Sequence, residues 1–174
     1  MHFPIRATAF VVLLASVSAN AAAQATPNAL HFNVAAGASL PLGTFSDAVD
    51  VGYHLTGGIG VRNPTAQLGL RGEVSYNGFS GHNGAVNLHI TGFTANATYD
   101  LTQAGSNGST LYLIGGLGAY NLGGHNGSNT EFGWNAGMGF RWPLSGFAAY
   151  VEARYHFVTN SDARFVPISF GLQF

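Results

Sequence analysis

Five charged residues stand out by type and spacing: Arg71, Glu73, Arg141, Glu152 and Arg154. Arg71 and Glu73 lie two apart, as do Glu152 and Arg154. In an extended chain, residues two apart share a face, so each pair sets opposite charges side by side on one wall. Inside a narrow enclosure such groups either neutralise one another or line a path for ions. Pairing is the simpler role, because breaking a buried pair costs about 3–5 kcal/mol while keeping it requires no transport. His156, followed by Thr159, Asn160 and Ser161, offers a base near hydroxyls. A nucleophile needs its base within hydrogen-bond reach and a third group to orient that base, and the sequence shows neither contact. Gly-His-Asn-Gly occurs at 81–84 and again at 124–127. Asn-Gly favours tight hairpins, so both strings read as turns. A metal shared by His82 and His125 would need further ligands. His31, His54 and His89 are scattered on polar faces without ligand spacing. The Gly-rich strings at 57–60 and 115–118 lack the helix that a phosphate cradle requires. No catalytic residue, cofactor or metal is expected.

The elements that carry these residues are strands. Read for period two, the chain gives eight segments, Leu30–Leu42, Gly52–Arg62, Gln67–Gly78, Val86–Leu101, Thr110–Asn121, Thr130–Trp142, Phe147–Phe157 and Phe165–Phe174. The third alternates most clearly, with Leu68, Leu70, Val74 and Tyr76 against Arg71, Glu73, Ser75 and Asn77. The sixth sets Phe132, Trp134, Met138 and Phe140 against Asn135 and Arg141, and the seventh sets Val151 and Tyr155 against Glu152, Arg154 and His156. In the fourth, Leu88 and Ile90 keep one phase while Phe93, Ala95, Ala97 and Tyr99 keep the other. That change predicts a β-bulge around Thr91-Gly92. The fifth is apolar on both faces, which leaves its facing open. Gly, Asn and Pro interrupt the chain too often for long helices. The connectors around 43–51, 79–85, 122–129 and 158–164 fall at one end of the array; at the other, Asn63–Ala66 and Pro143–Gly146 are short turns and Thr102–Ser109 is a longer one.

Composition says which face meets what. Only 7% of the 174 residues are charged, and all six basic residues are Arg, against roughly 25% charged residues in a typical soluble chain. Yet 47% are hydrophobic and 13% aromatic. So few charges could not coat a soluble domain, and the apolar content is too high for disorder. A net charge of −1 leaves no electrostatic footprint for nucleic acid. With no Cys there are no disulfides and no thiolate sites. The polar face can fill a narrow lumen but cannot make a solvent shell, so the apolar face points outward. A soluble lipocalin-like carrier, with apolar residues inside, is the least favoured arrangement. Each segment is near or above the roughly 9–11 residues that a tilted strand needs to cross a bilayer, and only a closed barrel lets strands do so. Tyr53, Tyr76, Tyr99, Trp142, Tyr155 and Phe174 fall towards segment ends, where interfacial girdles belong.

The N-terminus reads as an export signal. Arg6 precedes the apolar run Ala7–Val17, and Ala21-Ala22-Ala23 offers a cleavage site before Gln24, with Ala23-Gln24-Ala25 fitting a cut two residues later. The apolar run is shorter than the ~20 residues of a membrane-anchoring helix. The expected organisation is a signal peptide at 1–23 and one barrel domain at 24–174.

The C-terminal stretch Phe165–Phe174, with Ile168, Phe170 and Leu172 alternating towards a terminal Phe174, resembles the last strand of bacterial outer-membrane barrels. Tyr112–Tyr120, Trp134–Phe140 and Glu152–Tyr155 are similar to strands of the same group. Together these segments resemble the OmpA/OmpX-like, opacity-type outer-membrane β-barrel domain. The resemblance implies an all-β, eight-stranded antiparallel up-and-down transmembrane β-barrel in a Gram-negative-type outer membrane. It implies outer-membrane lipids as surroundings, and periplasmic chaperones and the barrel-assembly machinery as biogenesis partners. Ile168, Phe170, Leu172 and Phe174 would then form the assembly signal. The outward connectors are short for a family that often recognises partners through long loops, and no peptidoglycan-binding domain is expected after the barrel. Arg154–Asn160 is only partly similar to the His/Ser site of the outer-membrane lipid A deacylase. No Ser stands two residues after His156, and alternation points His156 inward rather than to lipid. A monomeric, non-catalytic barrel with a structural or surface-interaction role is the leading expectation. A narrow porin-like channel for small solutes or ions comes second and a lipid A-modifying enzyme third.

Overall fold

The structure is a computed structural model that describes residues 29–63, 66–81, 87–101, 108–124 and 127–174. The expected signal at 1–23, its cleavage site, His82 and His125 lie outside the described residues. Period-two patterning becomes eight strands: β1 (Ala29–Pro41), β2 (Gly52–Asn63), β3 (Leu68–Phe79), β4 (Leu88–Asp100), β5 (Thr110–Gly124), β6 (Gly127–Pro143), β7 (Ala148–Val158) and β8 (Arg164–Gln173). Each strand pairs antiparallel with its neighbour in sequence, and β1 pairs with β8 to close the barrel. The eight segments read from the alternation, and the up-and-down barrel that the resemblance implies, are the observed fold. No sheet edge is left open, which is what lets strands span lipid.

The connection between β1 and β2 contains a short helix, α1 (Thr44–Ala48), that the alternation did not suggest. It belongs to the loop end of the barrel, opposite the end that carries Ala29 and Phe174. The connector expected around 122–129 is mostly strand. Gly124 pairs with Gly127, so β5 and β6 project as a hairpin beyond the other strands.

The bulge expected at Thr91-Gly92 is absent. β4 keeps one register against β3 from Leu68↔Tyr99 to Phe79↔Leu88, and one against β5 from Asp100↔Tyr112 to His89↔Gly123. The strand never changes phase; the interior changes character along it. Towards the loop end Ile90 points inward, fully buried, into a cluster with Phe45, Val49, Phe79, Tyr120, Val158, Ala163 and Phe165, flanked by Leu88 and Leu122. Phe45 of α1 packs edge-on against Phe79 at 5.1 Å, and Phe79 against Phe165 at 5.8 Å. Gly92 serves this packing: a Cβ there would press on Ser75 Oγ and the Tyr120 ring. The same phase puts His89 outward, stacked on Tyr76 at 6.0 Å, rather than on the polar face.

Most outward side chains along the strands are apolar, among them Phe32, Leu55, Leu70, Phe93, Leu117, Met138 and Phe170, each about half exposed. The open question on β5 is resolved, with Leu111, Leu113 and Leu117 outward and Tyr112, Ile114 and Tyr120 inward. Aromatic contacts mark both rims. Tyr53–Tyr76 and Trp134–Tyr155 lie near the loop end, and Trp142–Phe170 and Phe147–Phe174 near the terminal end.

One turn isolates a backbone effect. Between β6 and β7 the Leu144 N–H donates to the Phe147 carbonyl at 2.7 Å, and Gly146 sits at φ 86°. A Cβ on Gly146 would meet no atom within 4 Å, so the cost of a side chain is conformational alone. Gly146→Ala is expected to destabilise the barrel by about 1 kcal/mol, read as a lower urea midpoint in equilibrium unfolding from lipid vesicles.

Candidate functional site: charged layers inside the barrel

Inward positions on β3 and β7 carry Arg71 and Glu73, and Glu152 and Arg154, each almost fully buried. The two strands stand across the barrel from each other, and their side chains meet in the middle. Arg71 Nη2 donates to Glu152 Oε2 at 2.7 Å, and Arg154 Nη1 donates to Glu73 Oε2 at 2.7 Å. Along each strand the pairs also touch, Arg71 Nε to Glu73 Oε1 at 3.1 Å and Arg154 Nε to Glu152 Oε1 at 2.8 Å. The result is a closed ring of two cations and two anions with no net charge.

Neutral donors complete the ring. Asn33 Nδ2 and Asn96 Nδ2 donate to the two oxygens of Glu73 at 3.0 and 2.8 Å, and the Tyr112 hydroxyl donates to Glu152 Oε2 at 2.7 Å. Asn135 Nδ2 donates to Asn96 Oδ1 at 2.9 Å. The Tyr150 ring lies under the Arg71 guanidinium at 5.9 Å. Six strands, β1, β3, β4, β5, β6 and β7, thus contribute a side chain to the ring or its immediate support. Because both carboxylates accept several charge-assisted bonds, desolvation of the four charges is offset by one another and by fixed dipoles.

Arg141 is not part of the ring. It pairs with Asp100 nearer the terminal end, at 3.0 Å, over the Tyr112 ring at 5.2 Å. Arg62 pairs with the same carboxylate. Asp100 and Arg62 are therefore interior residues that the five-residue constellation left out. Their signal was present in the phase: Asp100 continues the inward series Thr94, Asn96, Thr98, and Arg62 follows Gly58 and Gly60.

A third layer lies towards the loop end, beside the apolar cluster. Asn77 Oδ1 receives the Ser39 hydroxyl at 3.1 Å and lies 2.8 Å from His54 Nδ1. The Tyr120 hydroxyl bonds His156 Nδ1 at 2.9 Å, and the His156 ring stacks on Phe165 at 4.9 Å. The residues after His156 engage elsewhere. Thr159 and Ser161 hydroxyls donate to the Phe132 and Val158 carbonyls, and Asn160 donates to Glu131. Both hydroxyls are committed to backbone carbonyls, and the hydroxyl that meets His156 is that of Tyr120. Among the described residues no group of three or more His, Cys, Asp or Glu is placed to hold a metal.

The C-terminal residues lie on the outer wall. Ile168, Phe170 and Phe174 are about half exposed, Leu172 is partly covered, and the Phe174 N–H and carbonyl bond to Phe32 of β1. The last residue thus takes part in closing the barrel.

Solved structures share this architecture. Neisserial surface protein A superposes with a TM-score of 0.65 at 18% identity, over 83% of this chain and 95% of that one. The N-terminal β-barrel domain of Pseudomonas aeruginosa OprF superposes at 0.52 with 16% identity, over 83% and 97%. At these identities the likeness is one of fold. No curated protein matches the chain by sequence. The family described as outer membrane protein beta-barrel domain matches residues 9–174, nearly the whole sequence. With its closed antiparallel barrel, apolar outer wall and charged interior, the chain belongs to the outer membrane protein β-barrel domain family and sits in the outer membrane.

Proposed function

We propose that the chain is a non-catalytic outer-membrane barrel whose interior is a packed polar lumen, and that it works through its outer surfaces in a structural or surface-interaction role. The observation that carries this reading is the closed ring Arg71–Glu152–Arg154–Glu73, bonded across the barrel from β3 to β7. An eight-stranded barrel is just wide enough to be filled by side chains, and the ring uses that width to satisfy charges rather than to leave a path. The apolar cluster around Phe45, Phe79 and Phe165 supports it by stopping the loop end. The bonds from Thr159 and Ser161 to backbone, and from His156 to Tyr120, support the absence of catalysis.

The segment 1–23 acts as a cleaved export signal in this reading, leaving 24–174 as the barrel domain. Periplasmic chaperones deliver the chain, and the barrel-assembly machinery reads Ile168, Phe170, Leu172 and Phe174. The folded barrel is a monomer among lipids. The second reading, a narrow channel, draws on the Nε2 atoms of His54 and His156, which find no hydrogen-bond partner among the described residues beside the apolar stop.

Planar bilayers decide between them. Heat-modifiable gel migration first verifies that the protein is folded. Folded, inserted wild type is expected to give no discrete conductance steps. Reproducible steps that change in size in Arg71→Ala would replace the packed-lumen reading with the channel.

A further inference from the structure

Four of the described arginines, Arg62, Arg71, Arg141 and Arg154, end on carboxylates inside the barrel. Arg164 does the opposite. It opens β8 on the exposed side, in phase with the outward Ile168 and Phe170, and among the described residues no carboxylate reaches it. The alternation places it in a loop; the structure places it on the wall. Its guanidinium lies over the Phe157 ring at 5.3 Å. Phe157 in turn stacks on Trp134 at 5.8 Å, and Trp134 packs against Tyr155 at 5.6 Å. An aromatic shelf on the lipid-facing surface is thus crowned, at the loop-end rim, by one unpaired cation.

We propose that Arg164, with Phe157 and Trp134 beneath it, is a binding site for the phosphate of an anionic lipid in the outer leaflet. The height fits, because this shelf belongs to the aromatic rim where headgroups meet the wall. The charge fits, because a guanidinium presents a planar fork that matches phosphate oxygens. The shelf also fits. Acyl chains and glycerol lie against aromatic rings, while the ring under the guanidinium holds it at the rim and removes part of its hydration. An arginine that merely extended to water would gain nothing from a particular headgroup, so lipid selectivity separates the two roles. The inference rests on the barrel's place in a membrane.

The chain contains two tryptophans, one beside the site and one, Trp142, towards the other rim. Trp142→Phe protein, folded into mixed phosphatidylcholine and phosphatidylglycerol vesicles with one lipid brominated at a time, reports headgroup preference at Trp134. Trp134→Phe protein reports it at Trp142. Quenching at Trp134 is expected to show about a fivefold preference for phosphatidylglycerol, the effect of roughly one basic residue at a lipid surface. Arg164→Gln in the Trp142→Phe background is expected to abolish the preference, and Arg164→Lys to keep part of it. Trp142 is expected to show none in either case. Equal quenching of Trp134 by both lipids, or a preference that survives Arg164→Gln, overturns the site. Failure of either lipid to quench Trp142 would instead overturn the membrane placement on which the site depends.

Discussion

Glu73→Ala is expected to lower the stability of the folded barrel by about 3–5 kcal/mol, the cost of leaving a buried ion pair half made. Glu73 is the most connected acceptor in the interior, taking bonds from Arg154, Asn33 and Asn96 and facing Arg71 Nε at 3.1 Å. Removing it leaves two guanidinium groups to one carboxylate, Glu152, and orphans the Asn33 amide donor, while Asn96 Nδ2 keeps only its bond to Thr94 Oγ1 at 3.0 Å. Glu73→Gln restores an acceptor of the same shape but not the charge, so it is expected to recover only part of the loss. The more telling variant removes a cation as well. Glu73→Ala with Arg71→Ala leaves the pair Arg154–Glu152, bonded at 2.8 Å and again neutral. Its destabilisation is expected to fall short of the sum of the two single losses by about 1–3 kcal/mol, the range of coupling for residues in one network. Urea titration in lipid vesicles, followed by tryptophan fluorescence and by gel mobility, reads all four proteins. Single losses below about 1 kcal/mol that simply add would fit solvated, independent charges and would remove the basis of the packed-lumen reading.

Strands were legible because the outer wall is uniform. Lipid demands an apolar residue at every second position; β6 and β7 meet that demand through their middles, and β3 departs from it only at Gly72. The interior makes no single demand. Where it holds the charged ring, inward residues are polar and the faces separate cleanly. Where it holds the apolar stop, inward Ile90 and Leu88 look like wall residues, and a regular strand imitates a bulge. The same ambiguity hid the facing of β5, whose inward face carries Tyr112, Ile114 and Tyr120 with glycines between them. Pairing was less legible than facing. Alternation put Arg141 on the right face, yet only strand register and tilt decide that it meets Asp100 instead of Glu152. Position along the barrel axis is a property of the closed sheet and has no local sequence signature. Arg164 was missed for a related reason. A charge beside a turn reads as solvated loop, and nothing local says that β8 begins at that residue with the side chain on the wall.

Leu117→Arg tests the wall itself. Leu117 lies midway along β5, opposite Ala95 of β4 and Trp134 of β6, with its side chain 57% exposed on the outer face. If hydrocarbon covers this face, an arginine there must desolvate or drag water inward. The expected cost is about 2–4 kcal/mol near the bilayer midplane, against about 0–1 kcal/mol near an interface. Leu101→Arg supplies the second case, since Leu101 is exposed beside the end of β4. The two substitutions are identical in chemistry and both remove an exposed leucine. Any difference between them measures depth, not loss of packing. On a water-facing wall both would fall within about 0.5 kcal/mol of wild type, as surface changes away from special features do. Unfolding from vesicles of increasing acyl-chain length sharpens the test. The penalty at Leu117 is expected to grow as the hydrocarbon thickens, because the path by which an arginine side chain reaches the interface lengthens. A flat penalty would mean that Leu117 does not lie at the centre of the membrane-facing band, and the placement of the barrel along its axis would have to shift towards one rim.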